Sequence, residues 1–249
     1  VPEGYQGDLP EGYFTATSPS SVNWLILRGM LQDGKPDAAA KNFREGLKVY
    51  PLNQKNNPPR MEFIGGSKIP FNTIHANNYN FFEEINNVIQ KEPVDFIDPE
   101  LRGLLTSIGI QKGKPFAPDA RMQKILSEAV AVGNATARAL SFKPRSETVY
   151  IYDDSSWYTA FDGGDYRWLI EDGKGGRNLD ARTFFFYIAT VNTPAMVKEM
   201  IGVGSQYALN ALDTDGAYLD GSQNYKLNIP KDVPAKDFWS IVVYDPQTR

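Results

Sequence analysis

The sequence predicts an α+β multidomain protein in which β segments lie at both ends and helices lie in the middle. Residues 1–32 contain short apolar runs separated by turn residues, which is the pattern of strands. Residues 33–145 contain four amphipathic helical patterns, and residues 146–249 return to short aromatic runs between Gly-rich turns. Because one helical pattern interrupts this last region, it is typical of a β-sandwich or jelly roll with a helical insertion and not of an alternating βαβ fold.

The first region is predicted to contain strands at 13–17 and 22–27, on either side of the turn TSPSS. The run VNWLIL is apolar on both faces, so we expect this strand to be buried. Two strands alone do not form a stable sheet, and the sequence nearby offers no partner strands. These strands therefore need partners from elsewhere.

The middle region is predicted to be a helical subdomain. Its first helix begins near Pro36, and a Pro-, Asn- and Gly-rich connection follows at 51–75, a kind of long loop that is either functional or mobile. The second helix is predicted at 77–91. Asp98 and Pro99 open a third helix as an acidic N-cap and a first-turn proline, and the fourth runs from about 118 to 140.

The last region alternates between short strand patterns and turns such as DGGD and EDGKGGRN. A helix is predicted to begin at Thr193-Pro194 and to continue to about Ala208. The predicted strands cover residues 148–152, 156–161, 166–171, 183–190, 225–229 and 238–244.

The most distinctive stretch of the chain runs from 210 to 245. Its motifs are, in order, Asp215-Gly216, Leu219-Asp220-Gly221, Asn224-Tyr225, Phe238-Trp239-Ser240 and Tyr244-Asp245. Together with ARTFFFYIATVNTPAMV and VNWLILRGML upstream, these motifs resemble bacterial proteins that pair the domains of unknown function 1254 and 1214. The resemblance transfers no activity.

This resemblance implies three parts of the chain. They are the end of a partial N-terminal β-sandwich at 1–32, a helical subdomain at 33–145, and a partial C-terminal jelly-roll β-sandwich at 146–249. Members of the family have further strands before the position of Val1 and after that of Arg249. We therefore expect a companion fragment or chain to supply the missing strands, because unpaired strand edges invite aggregation.

Composition excludes several classes of function. The formal net charge of -4 and the sequence pI of about 5.2 argue against a nucleic-acid-binding surface. No apolar run approaches the roughly 20 residues of a membrane-spanning helix, so we expect no membrane span. The absence of cysteine removes disulfides and the usual zinc sites, and it fits a periplasmic or secreted protein as well as a cytoplasmic one. Glycine-rich nucleotide motifs are also missing, and we expect no cofactor.

Three aspartates are candidate catalytic residues. Asp153, Asp162 and Asp165 lie among aromatic residues that include Trp157 and Tyr166. Paired carboxylates beside flat rings are what a glycan-processing site needs, since one carboxyl acts as acid, another as base or nucleophile, and the rings bind sugar faces. The same residues also suit acidic turns around an aromatic core.

Two further residues are candidates for a site. His75 is the only histidine, and its position after the long loop allows either a general-base role or a local hydrogen bond. Arg182 could bind an acidic ligand or could pair with one of the many carboxylates.

Oxygen-bearing side chains also cluster in the distinctive stretch. Asp213, Asp215, Asp220 and Asn224 are possible calcium ligands, but their spacing does not fit an EF-hand loop. Asp-Gly pairs form tight turns without an ion. We therefore predict turns here and no metal site.

Two functions from different classes remain open. One is a non-catalytic binding or assembly protein of the cell envelope or the secreted fraction, which we expect to form a homo-oligomer. The alternative is a hydrolase or lyase that uses the clustered aspartates on a carbohydrate-like or small polar substrate. Jelly rolls host unrelated functions, so the predicted fold does not decide between them.

Overall fold

In the computed structural model, the described residues are 1–247 without 3, 10, 71, 73, 190–191, 198–205 and 236–237. The chain divides into two compact units. The first comprises Val1–Asn72 with Val88–Thr106, and the second comprises Thr73–Asn87 with Ser107–Arg249.

Helices are the regular elements of the described chain. The α-helices are α1 (Asp37–Gly46), α2 (Asn80–Lys91), α3 (Pro99–Ser107), α4 (Ala120–Phe142), α5 (Leu179–Ile188) and the short α6 (Pro194–Val197). Single 3₁₀ turns occur at Leu52–Gln54, Val94–Phe96, Glu147–Val149, Asp162–Gly164 and Glu171–Gly173. Within the described ranges, no helix combines the length and the apolar character needed to cross a bilayer.

The four helices predicted for the middle region are confirmed, with boundaries shifted by a few residues. Two of them begin at the side-chain caps that stop the first amide groups from being left without partners. The Oδ1 atom of Asp98 accepts a hydrogen bond from the Leu101 amide at 2.8 Å. At the start of α4, Asp119 accepts one from the Met122 amide at 2.7 Å.

The predicted β-sandwich and jelly roll are wrong, because the described residues contain no β-strand. The backbone pairing that remains consists of isolated bridges, such as those that join Tyr158 to Tyr150 and to Leu209. A strand exists only where a neighbouring segment completes its hydrogen-bond ladder, and a strand-like sequence cannot provide that neighbour.

The run VNWLIL shows this most clearly. It is irregular, and Trp24 and Leu25 are 63% and 64% exposed, so the prediction of a buried strand at 22–27 is wrong. The runs at 225–229 and 238–244 are likewise irregular and exposed. Their apolar side chains have the strand pattern, but none of the described segments pairs with them to form a sheet.

The run predicted as a strand at 183–190 belongs to helix α5 through residue 188, and residue 190 lies outside the described residues. Ala181, Phe184 and Phe185 are buried on one side of this helix, while Phe186 is 50% exposed. Of the helix predicted from Thr193 onward, the described residues contain α6 at Pro194–Val197. Most of its remainder, 198–205, lies outside the described residues, and Tyr207 is irregular and exposed.

The main core of the second unit lies beside α5. Its buried members are Val149, Tyr158, Ala160, Trp168, Ala181, Phe184 and Phe185. The ring centroids of Trp168 and Phe185 are 5.0 Å apart, and those of Phe161 and Phe185 are 5.3 Å apart. Leu140 of α4 packs against the same cluster, so α4 and α5 together hold the irregular segment 149–168 in place.

Candidate functional site

Asp162 is a buried carboxylate at the edge of this core, with 6% of its surface exposed. One of its oxygens accepts a hydrogen bond from the Thr148 hydroxyl at 2.6 Å, and the other accepts one from the Asn178 amide at 2.8 Å. Asn178 is also the N-cap of α5, because its side-chain oxygen accepts a hydrogen bond from the Ala181 amide at 3.0 Å. Asp162 therefore links the 3₁₀ turn at 147–149 to the start of α5.

A small cleft adjoins this carboxylate. Its cavity volume is about 10 Å³. This is room for about one water molecule, so the cleft is too small for a sugar ring. The lining residues are Leu140, Pro144, Arg145, Ser146, Asp162, Asp180, Ala181 and Phe184.

Arg145 and Asp180 form an ion pair at the mouth of the cleft. The Arg145 Nε atom lies 2.8 Å from the Asp180 Oδ2 atom. Neither residue was predicted from the sequence, in which they are 35 positions apart. Asp180 could have indicated where α5 begins, because an acidic residue in the first turn favours a helix start. The cleft thus contains the carboxylates of Asp162 and Asp180, and both already accept hydrogen bonds from neighbouring side chains.

Asp165 also pairs with a cation. Its Oδ2 atom lies 2.9 Å from the Arg167 Nη2 atom, and its Oδ1 atom accepts a hydrogen bond from the Arg167 amide at 2.7 Å. The hydrogen bonds from the side chain and backbone of Arg167 lower the pKa of Asp165, and the same carboxylate raises the pKa of Arg167. Asp165 therefore remains ionised at neutral pH, which does not suit a general acid.

The other predicted catalytic residues have different surroundings. Asp153 is exposed in a turn. The ring of His75 stacks on Phe186 with centroids 4.8 Å apart, and it meets the edge of Phe81 at 5.5 Å. These contacts place the histidine in an aromatic cluster, and no contact between it and Asp153, Asp162 or Asp165 occurs among those that the structure describes.

Among the contacts that the structure describes, none joins the predicted ligand-binding residues Trp157, Tyr166 and Arg182 to one another. Tyr166 is 44% exposed and lies under the Arg167 guanidinium, 5.6 Å from the ring centroid. Trp157 is half-buried, and its amide donates to the Ser155 hydroxyl at 3.3 Å. Arg182 is half-buried on α5. The buried Tyr158, which sequence analysis did not single out, donates to the Ser141 carbonyl at 2.6 Å, and burial raises its pKa.

The aspartates of the distinctive C-terminal stretch shape turns. The Oδ1 atom of Asp213 accepts hydrogen bonds from the amides of Asp215 at 3.0 Å and Ala217 at 2.9 Å. Asp220 accepts one from the Ser222 amide at 2.8 Å, which lowers the pKa of Asp220. Within the described part of the chain, no three acidic or histidine side chains gather into a group that could hold a metal ion.

This stretch is also where the chain matches a known family. Residues 204–249 match the family model described as a protein of unknown function (DUF1214). No curated protein matches the chain. The match supports the C-terminal half of the resemblance seen in the sequence, and it does not extend to the 1254-like segment predicted at 1–32.

The DUF1214 segment touches the rest of the second unit near both of its ends. Leu209 exchanges two backbone hydrogen bonds of 2.9 Å with Tyr158, and the Tyr187 hydroxyl donates to the Pro246 carbonyl at 3.2 Å. Between these contacts, every described residue from 214 to 232 is exposed. The segment therefore presents most of its side chains to the surroundings.

Proposed function

We propose that the chain is a non-catalytic assembly protein and that residues 238–244 of its DUF1214 segment bind a second copy of the chain. The observation that carries this proposal is the exposure of a continuous apolar run. Phe238 is 80% exposed, Trp239 is 54% exposed and Val243 is 92% exposed. Soluble monomers rarely leave a large contiguous apolar patch uncovered, and such patches commonly mark interaction sites.

The backbone of this run supports the same proposal. Within the described chain, residues 238–244 form no bridge and make no backbone–backbone hydrogen bond. A row of unpaired N–H and C=O groups is a template for an added strand from another polypeptide. A second copy offers the same run, and two-fold pairs of identical patches are the commonest form of homo-oligomer. The companion chain expected from the sequence is the competing occupant.

The environment of the aspartates argues against the enzyme alternative. Glycoside cleavage needs two carboxyl groups that face a substrate across the bond to be broken. The Asp162 carboxylate already accepts hydrogen bonds from Thr148 and Asn178, and the Asp165 carboxylate already pairs with Arg167. The hydrolase or lyase function, the assignment of residues 1–32 to a 1254-like domain and the periplasmic or secreted location remain predictions from the sequence.

A charge placed in the exposed run tests the proposal. We expect Val243→Lys to raise the dissociation constant of the dimer at least about tenfold, because a lysine at the interface must give up its hydration. Analytical ultracentrifugation over a range of concentrations measures this constant. Val132→Lys is the matched control, since Val132 is 67% exposed on helix α4 and lies far from the run in sequence.

Two outcomes would overturn the proposal. One is a wild-type chain that sediments as a monomer up to roughly 100 µM, which is a weak limit for a biological dimer. The other is an equal loss of self-association in both lysine variants, because that would show a general effect of charge and not an interface at residues 238–244.

A further inference from the structure

Glu92 is a buried carboxylate in the first unit, with 4% of its surface exposed. It directly follows helix α2, and its own amide donates to the Val88 carbonyl at 2.9 Å. Its two carboxylate oxygens accept hydrogen bonds from consecutive backbone amides, that of Ser21 at 2.5 Å and that of Val22 at 3.1 Å. Burial of a carboxylate is unfavourable unless such donors replace water, so the geometry requires these two amides to stay in place.

The segment that carries the two amides buries little apolar surface. We call residues 1–31 the strap. No described residue of the strap is buried, and its large apolar side chains are mostly exposed, including Phe14, Met30 and Leu31 at 106%, 85% and 63%. Hydrophobic burial, which normally holds a segment to its domain, is therefore small here.

The strap has two further contacts, one before and one after Ser21 and Val22 in the sequence. The hydroxyl groups of Tyr13 and Tyr50 are 3.1 Å apart and exposed to solvent. Gly29 lies so close to α1 that an added Cβ atom would sit 2.5 Å from the Ala39 Cβ atom. An exposed hydroxyl pair and a close approach at a glycine contribute less than hydrogen bonds to a buried charge.

We infer that Glu92 is the positioning residue that anchors the strap, and that loss of its charge releases residues 1–31 while helices α1 and α3 remain folded. The strap is thus a segment that can detach, and Glu92 determines whether the run at 22–31 keeps a fixed position. This inference is independent of the proposed assembly, because it concerns the first unit alone and is measurable in a monomer.

Glu92→Gln tests the anchor with almost no change in side-chain size. Glutamine keeps one acceptor oxygen but turns an NH₂ group, a donor, toward a backbone N–H, which is also a donor. We expect hydrogen exchange at the Ser21 and Val22 amides to become about 10- to 100-fold faster, with trypsin cleavage after Arg28 accelerated in parallel. Glu45→Gln is the control, because Glu45 is an exposed residue of α1 in the same unit.

Cleavage after Lys48 serves as the internal reference, because this exposed lysine follows α1 and lies outside the strap. Faster cleavage after Arg28 with an unchanged rate after Lys48 supports the inference. Equal acceleration at both positions shows that Glu92 supports the whole unit, and unchanged exchange at Ser21 and Val22 shows that it anchors nothing. Either result overturns the inference. If Glu92→Gln fails to fold, Glu92→Asp, whose carboxylate is one methylene shorter, is judged by the same criteria.

Discussion

At the scale of single residues, the aspartates that suggested catalysis serve mostly to hold the backbone. The sequence identified Asp162 and Asp165 as residues worth attention, but it did not identify their partners. Arg167 is only two residues from Asp165, so this pair could have been recognised as local. Thr148 and Asn178 lie 14 and 16 positions from Asp162, and only the folded chain brings those three side chains together.

The pair of Asp165 and Arg167 leads to a prediction about pH. Arg167→Gln removes the hydrogen bonds from the guanidinium and its charge, so we expect the pKa of Asp165 to rise toward its ordinary value of 3.8. Carbon-detected NMR titration of the carboxyl group measures the change. Arg182→Gln removes an arginine of α5 that has no described contact with Asp165, and it should leave this pKa where it is.

The sign of the effect on stability follows from the lowered pKa. A carboxyl group whose pKa is lower in the folded chain than in the unfolded chain adds stability above the unfolded value of about 3.8. That contribution is lost as the pH falls through the lower, folded pKa. Urea unfolding of Arg167→Gln should therefore show less acid dependence than wild type in this window. An Asp165 pKa that is unchanged in Arg167→Gln would contradict the ion pair.

At the scale of elements, the amphipathic helices were predictable and α5 was not. Helices α2 and α4 have apolar residues at helical spacing and clear end signals, which local sequence is enough to reveal. The run TFFFYI contains no charged residue and three consecutive phenylalanines. A short, mostly apolar run of this kind does not distinguish a buried strand from a buried helix. The missed signals were the Asn178 cap and the spacing of Ala181, Phe184 and Phe185.

The two roles of Asn178 can be separated by substitution. Asn178→Ala removes both the cap of α5 and the hydrogen bond to Asp162, so we expect it to lower the free energy of unfolding by about 1–3 kcal/mol. Asn178→Ser keeps a hydroxyl able to cap the helix and loses the donor to Asp162, so its loss should be about half as large. Chemical denaturation followed by circular dichroism measures both values.

The control for this comparison is Asn224→Ala. Asn224 is exposed in the DUF1214 segment, and its replacement should change the free energy of unfolding by no more than about 0.5 kcal/mol. Equal losses for Asn178→Ala and Asn178→Ser would mean that the cap contributes nothing beyond the contact with Asp162. Losses near that of Asn224→Ala would mean that the network around Asp162 does not stabilise the second unit.

At the scale of the whole molecule, the sheets were predicted from the patterns of single segments. A segment becomes a strand only when a second segment pairs with it. The runs at 22–27 and 238–244 have the composition of strands, but the described chain places no ladder partner beside either of them. Pairing is a property of two segments, and a single run specifies only one of them. The prediction failed at this step, and the exposed run at 238–244 is the basis of the proposed assembly.

Thermal unfolding offers a test of assembly at this scale that needs no substitution at the interface. If folding and self-association are coupled, mass action stabilises the folded chain as its concentration rises. We expect the Tm to increase by about 1–3 °C for each tenfold increase in protein concentration. Differential scanning calorimetry from low to high micromolar concentrations measures this slope, and Val243→Lys should flatten it while Val132→Lys preserves it. A Tm that is independent of concentration in the wild-type chain would mean that a second copy does not cover residues 238–244, and that a different polypeptide must do so if any does.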